Sequence, residues 1–290
     1  MIVPSGAGGV TDVLGRIVAH KLGASLGQQV VIDNRPGASG IVGSQIVATA
    51  VPDGYTLLMV FPSHVVNPAL FPAIPYDTVK AFAPVTIVST VSLLLAVNVD
   101  LPVKSTQELI AYAKAKPGQL NYGSVGSGSL GRLGSELFRS MSGTRMTQIA
   151  YKGSPQILSA LIGGEINIYM VASISGLMPQ VKSGRVRALG VSTQQPLPIL
   201  PNVPPIADAL PGYEARGWNG ILAPAGTPKT IIEKLHKEIV KIVRSPEFGQ
   251  NLFAEGATAV GNTPEEFAAV IRADMNKWAA VIKEAGIKGE

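Results

Sequence analysis

The chain has 290 residues and not one cysteine. That absence excludes disulfides and every thiolate metal site, and it leaves the redox compartment open between cytoplasm and periplasm. Histidine is nearly as scarce. Only His20, His64 and His236 occur, none of them at the H-E-x-x-H spacing or in another close ligand pair, so no metal centre is expected. Charge is sparse too: Asp, Glu, Lys and Arg make up 15% of the residues, and the net charge of +5 comes from scattered Lys and Arg without a basic run. Such a chain attracts small anions weakly and does not carry the footprint of a nucleic-acid binder. The opening Met1-Ile2-Val3-Pro4 has no basic n-region, apolar h-region or cleavage site, so no signal peptide is read there. The uncharged stretch Ala81 to Val99 approaches membrane-spanning length, but Pro84, Asn98, four Ser or Thr residues and frequent valines fit two buried strands better.

What is present is apolar residue, at 46%, punctuated by 32 Gly and 22 Pro. That mixture describes a folded chain of many short strands and helices joined by tight turns. The first unit reads as strand, glycine turn and helix: Ile2-Val3, then Ser5 to Gly9, then apolar positions Val13, Leu14, Ile17, Val18 and Leu22 at helical spacing, with Thr11 or Asp12 as the expected cap. Gln29 to Asp33 and Tyr55 to Phe61 are expected strands, with a helix from about Gly40 to Ala50 between them. The pattern starts again at Ser105 and Thr106, which cap a helix, followed by a strand at Leu120 to Val125, a glycine turn and a helix at Leu133 to Met141. Thr147 to Tyr151, Ile166 to Val171 and Arg187 to Val191 add strands, and Gln194 to Pro211 reads as a surface crossing. Two amphipathic helices, near Ile231 to Arg244 and Pro264 to Ala285, are expected to pack on the first lobe. This is an α/β protein of two lobes built on parallel sheets, with the first lobe at 1–97 plus 216–290 and the second at 98–215.

Two turns attract functional readings. Pro4 to Asp12 lies between a strand and a helix N-terminus, where the amides of Ser5, Gly6, Ala7, Gly8 and Gly9, with Thr11 and Asp12, offer a place for an anion. The bland alternative is a tight βα turn. The second lobe repeats the device at Gly126-Ser-Gly-Ser-Leu-Gly131, where the hydroxyls of Ser124, Ser127 and Ser129 and the amide of Gly128 can donate. The same hexad matches the dinucleotide fingerprint, yet the acidic residue needed about twenty positions on is missing from Ile149-Ala-Tyr-Lys152. Gly23-Ala-Ser-Leu-Gly27 spells the nucleophile-elbow pattern at a helix C-terminus, where no strand-to-helix turn exists to present the serine. Ser63 and His64 follow the third strand at the ligand-binding edge of an open α/β sheet. Trp218 either faces a ligand or fills core.

Val3 to Asp12, Val31-Ile-Asp-Asn-Arg-Pro-Gly-Ala38, Pro52-Asp-Gly-Tyr-Thr-Leu57, Ile149-Ala-Tyr-Lys-Gly153, Asn121-Tyr-Gly-Ser124 with Glu136-Leu-Phe138, and Leu222-Ala-Pro-Ala-Gly-Thr-Pro228 together resemble the tripartite tricarboxylate transporter receptors, the Bug family. The resemblance covers nearly the whole chain. It implies a type II-like periplasmic binding protein: two α/β lobes joined by crossover strands, closing like a flytrap on a small organic carboxylate. It also implies a periplasmic, monomeric, non-catalytic protein without cofactor, which delivers its ligand to membrane permease subunits. In that family the loop at Ser5 to Asp12 holds one carboxylate and the turn at Ser127 to Ser129 completes the clamp. The chain departs from the family pattern at Ser5, where an aromatic residue is usual, and at Arg132, where His is common and where this chain offers a guanidinium to a second carboxylate. The family's exported leader and the start of its first strand are not seen, which leaves cytoplasmic retention as an alternative. Two rival outputs are presentation of the ligand to a sensor kinase and a nucleotide- or acyl-handling α/β enzyme.

Overall fold

The computed structural model describes residues 1–172 and 174–289. In chain order its elements are β1 (Ile2–Val3), α1 (Val10–Leu26), β2 (Asp33–Asn34), α2 (Ile41–Ala48), β3 (Leu58–Val60), α3 (Ser63–Leu70), β4 (Phe82–Ser92), β5 (Leu94–Asn98), α4 (Thr106–Ala115), β6 (Leu120–Ser124), α5 (Leu130–Ser142), β7 (Met146–Ala150), α6 (Ser154–Ile162), β8 (Ile168–Val171), α7 (Ile174–Lys182), β9 (Val186–Val191), β10 (Arg216–Pro224), α8 (Lys229–Val243), α9 (Pro246–Phe253), β11 (Thr258–Ala259) and α10 (Pro264–Ala285). They form two compact units.

The first unit comprises residues 1–90, 217–252 and 258–280. Its six-stranded sheet has the order β11-β4-β10-β3-β1-β2. β1 pairs in parallel with β2 and β3, but β10 runs antiparallel to β3, with Gly220 opposite Val60. The expected all-parallel sheet is therefore mixed, because β10 re-enters it from a remote part of the chain. β2 is confined to Asp33 and Asn34, since only these two residues lie opposite β1. Val3, Val18, Leu58, Met59, Ile221 and Leu222 are buried at its centre, and α8 packs on α1.

The second unit comprises residues 91–216, 253–257 and 281–290. Its sheet has the order β7-β6-β8-β5-β9. β6 is parallel to both β7 and β8, whereas β5 is antiparallel to β8 and β9. All five residues of β5 are buried, as expected for a strand flanked on both sides in a covered sheet. That pairing draws residues 91–97 into the second unit, away from the first lobe where the chain pattern puts them. The segment 194–211 is likewise more than a surface crossing: Leu197 and Leu200 are buried in the core of this unit with Leu94, Ile157 and Ile174. The chain leaves the first unit near the end of β4 and returns at the start of β10.

Helix α5 is seated closely on this sheet. A Cβ added at Gly131 would stand 2.6 Å from the Met170 carbonyl oxygen on β8, so glycine here is a packing requirement. Gly131→Ala is expected to lower the unfolding free energy by about 1–3 kcal/mol through overpacking against rigid backbone. Gly249→Ala in α9, where nothing lies within 4 Å, should be neutral or stabilising by about 0.4–1 kcal/mol. Urea unfolding of the two variants measures the contrast.

Candidate functional site

In the first unit the loops that follow β1, β2 and β3 converge at the C-terminal ends of these parallel strands. Helix α1 begins after Gly9, which has extended backbone angles and gives no side-chain cap. The expected capping by Thr11 or Asp12 does not occur, because both already lie inside the helix. Asp12, third in the helix, instead reaches back and accepts from the Gly8 amide at 2.8 Å. It also accepts from Arg16 Nε at 2.9 Å and from Asn34 Nδ2 at 2.9 Å. These contacts, led by Arg16, hold the Asp12 carboxyl down to about 2 against the cost of its burial. Asn34 Nδ2 also donates to the Ser5 carbonyl at 3.1 Å, tying the β1 loop to the β2 loop.

The consequence is a division of labour. Asp12 is buried and engaged in shaping the loop, while Gly6, Ala7, Gly8 and Gly9 are exposed beside a helix start that no side chain caps. Such a helix end attracts an anion through its amides and dipole. Ser5 Oγ is buried without a hydrogen-bond partner. Thr11 Oγ1 donates to Asn219 Oδ1 at 3.0 Å.

The β2 loop carries backbone strain. Ala38 and Ser39 have φ of 45° and 54°, in the left-handed region that non-glycine residues seldom occupy. The strain is held by the β3 side: Ser63 Oγ donates to the Ser39 carbonyl at 2.8 Å, and Asn67 Nδ2 donates to the same oxygen at 3.1 Å. Asn34, Ser39 and Asn67 were not among the candidates from sequence. Their signal was topological, since three consecutive βα loops of a parallel sheet must share one edge.

Ser63 and His64 stand at the start of α3, an element that Asn67-Pro68 disguises as a turn. Ser63 is buried, and its hydroxyl serves the Ser39 carbonyl. His64 is buried against Tyr76 and Phe82, with Nε2 at 3.2 Å from the Thr78 carbonyl. Burial pushes its pKa down to about 4. Trp218 is a core residue: its indole N–H donates to Asp274 at 2.7 Å and its ring meets Phe267 edge-on. Of the two readings offered for Trp218, the core one describes its place, with the indole N–H satisfied by Asp274; the His64 ring also fills core, with Nδ1 left without a hydrogen-bond partner.

In the second unit Ser129 caps α5, accepting from the Arg132 amide at 3.3 Å while its own hydroxyl donates to the Val125 carbonyl at 2.6 Å. Ser124 is buried and its Oγ accepts from Gln148 Nε2 at 3.0 Å. Ser127 is buried beside Gly128. Arg132 opens a charged cluster with Glu136, Arg139 and Tyr122. A separate cavity of about 550 Å³ in the first unit, lined by Leu22, Val31, Tyr55, Leu57, Ile231 and Leu235 among others, contains none of the candidate residues. Among the described residues no group of three His, Cys, Asp or Glu could hold a metal ion, and no helix is long and apolar enough to cross a membrane.

Residues 14–287 match the family model described as the tripartite tricarboxylate transporter family receptor. The chain belongs to this receptor family. It is 36% identical over 291 residues to the protein BugT of Bordetella pertussis, covering 99% of this chain and 89% of that one. An R. palustris protein solved with adipate superposes with a TM-score of 0.83 at 36% identity, over 100% and 97% of the two chains. MatC from Rhodopseudomonas palustris with bound malate gives 0.78 at 28% identity, over 97% of each chain. The receptor therefore has the two-lobed binding-protein fold, and its relatives are solute-binding proteins, not enzymes.

Two pH dependences follow. The Asp12 carboxyl is depressed in the folded state, so its contribution is complete above about pH 4 and is lost as pH falls toward 2. Asp12→Asn is expected to destabilise the receptor by about 1–3 kcal/mol at neutral pH, with the difference from wild type vanishing near pH 2 in denaturant titrations. His64 is buried neutral, so the unfolded chain takes up its proton first and stability falls as pH drops from 6.5 toward 4. His64→Gln should make the slope of stability against pH shallower in that window.

Proposed function

We propose that the receptor is a periplasmic, monomeric solute-binding protein that captures a small organic carboxylate between its two lobes and presents it to the membrane subunits of a tripartite tricarboxylate transporter. The observation that carries this reading is the helix start after Gly9, left without a side-chain cap while Asp12 turns inward to the Gly8 amide. Residues Ser5 to Gly9 and Thr11 hold one carboxylate, with Asp12 as the scaffold of the loop. The turn at Ser124, Ser127, Gly128 and Ser129 with Arg132 supplies the other side of the clamp. Di- and tricarboxylates, amino acids and aromatic acids all satisfy an amide-lined anion site. The adipate and malate named for two structural relatives support this ligand class. Charge-assisted hydrogen bonds contribute roughly 1.5–3 kcal/mol each, so three or four can support micromolar affinity after ordering costs. Binding requires no cofactor, and the ligand acts by stabilising the closed form.

Isothermal titration of ligand-free receptor with adipate, malate, citrate, glutamate and benzoate tests the proposal. At least one should bind with a dissociation constant in the micromolar range or tighter and raise the melting temperature. Silence across the whole panel from a sample verified as ligand-free by native mass spectrometry would refute the carboxylate reading.

A further inference from the structure

The chain holds a single Asn-Gly link, at 219–220, and a single Asp-Gly link, at 53–54, and both lie in the first unit. In each, the glycine amide nitrogen can attack the side-chain carbonyl carbon of the residue before it. Glycine leaves that attack open because it carries no Cβ. Chemistry alone ranks the Asn-Gly link as the more reactive, since ammonia leaves an amide more readily than water leaves a carboxyl at neutral pH. The structure reverses the order.

Asn219 is 3% exposed and lies inside β10, a strand flanked by β3 and β4. Its side chain is held at both ends: Oδ1 accepts from Thr11 Oγ1 at 3.0 Å and Nδ2 donates to Ser89 Oγ at 3.3 Å. Gly220 stands opposite Val60, and a Cβ added to it would lie 2.4 Å from the Phe267 ring. A strand packed in this way has neither the rotation that ring closure needs nor the water that hydrolysis needs.

Asp53 has the opposite surroundings. It is exposed in the bend ahead of β3. Its Oδ1 accepts from the Tyr55 amide at 2.9 Å, an Asx turn that curls the carboxyl back over the intervening peptide link. Gly54 has φ of 85°, and among the described residues its amide has no hydrogen-bond partner. Asp53, Gly54 and Tyr55 also border the cavity of about 550 Å³, so water has access to the link.

We propose that Asp53 is a site of spontaneous isomerisation to isoaspartate in the folded receptor, and that the fold shields Asn219 from the corresponding deamidation. Gly54 N bonds to Asp53 Cγ of the protonated carboxyl, whose hydroxyl leaves as water with the amide hydrogen, and a five-membered succinimide results. Water then adds to the Asp53 main-chain carbonyl carbon, and the bond from that carbon to Gly54 N breaks. The main chain now runs through Cβ and Cγ, and the former main-chain carbonyl has become the free carboxylate. One water leaves and one enters, with no enzyme or cofactor. The product puts one extra atom into a backbone bend that is tightly packed, since a Cβ at Gly54 would stand 2.5 Å from Ile231 of α8.

The test incubates the receptor at 37 °C and pH 6 in water labelled with oxygen-18, folded and in denaturing guanidinium, and maps its peptides by electron-transfer mass spectrometry. Each passage through the succinimide adds one heavy oxygen at Asp53, and the fragment ions separate isoaspartate from aspartate. Asp53 should isomerise in the folded receptor at no less than one third of its unfolded rate, whereas Asn219 should deamidate at least tenfold more slowly folded than unfolded. Asp53→Glu, which would have to close a six-membered ring, should remove the label from this site. A folded rate at Asp53 below that fraction, deamidation of Asn219 in the folded receptor ahead of Asp53, or label that persists in Asp53→Glu would overturn the assignment.

Discussion

The Asp12 carboxylate is the contact on which the first-unit site depends. A carboxylate in the first turn of a helix ordinarily complements the dipole and makes the helix end less hospitable to an outside anion. Here its charge is taken up by Arg16 and its remaining lone pairs by the Gly8 amide and Asn34. The loop is held in shape by an internal anion that takes the Gly8 amide, while Gly6, Ala7 and Gly9 beside it stay exposed. Asn34 then extends the arrangement to Ser5, and the strained Ala38-Ser39 turn is braced from α3 by Ser63 and Asn67.

The second unit solves the same problem differently. Its helix start is capped by Ser129, so the positive field that α1 leaves open is here partly closed, and the compensating charge lies one turn further on. Tyr122, Glu136 and Arg139 form a satisfied set, with burial and the Glu136 carboxylate pushing the Tyr122 phenol up out of any titratable range. Arg132 is the member left short of a partner. One unit therefore has an uncapped helix start, and the other a capped start with a charged cluster one turn further on.

The glycine hexad illustrates how one motif can serve two physical ends. In a dinucleotide enzyme its last glycine permits close helix-to-strand packing, and Gly131 does the same here against Met170. Packing alone does not make a nucleotide site. The ribose-binding acid is missing, and the hydroxyls around the turn are turned inward to cap a helix and to meet neighbouring strands.

Much of this was legible in the residues themselves. Periodicity and turn chemistry located β1, α1, β4, β5, β6, α5, α8 and α10 to within a few residues, because each carries a strong local pattern bounded by Gly, Pro or a capping Ser. The two glycine turns were legible for the same reason. What only the tertiary structure decided was where each polar atom goes. Asp12 turned from cap to scaffold because Arg16 and Asn34 meet it in space; His64 and Trp218 lie in cores because their aromatic partners Tyr76, Phe82 and Phe267 stand 12 to 49 residues away along the chain. The mixed strand directions and the transfer of residues 91–97 to the second unit were set by β10 and β9, which pair with β3 and β5 across 88 residues or more. Local sequence encodes the elements and their ends, whereas hydrogen-bond satisfaction and burial are properties of the assembled packing, and they determine which side chains remain for a ligand.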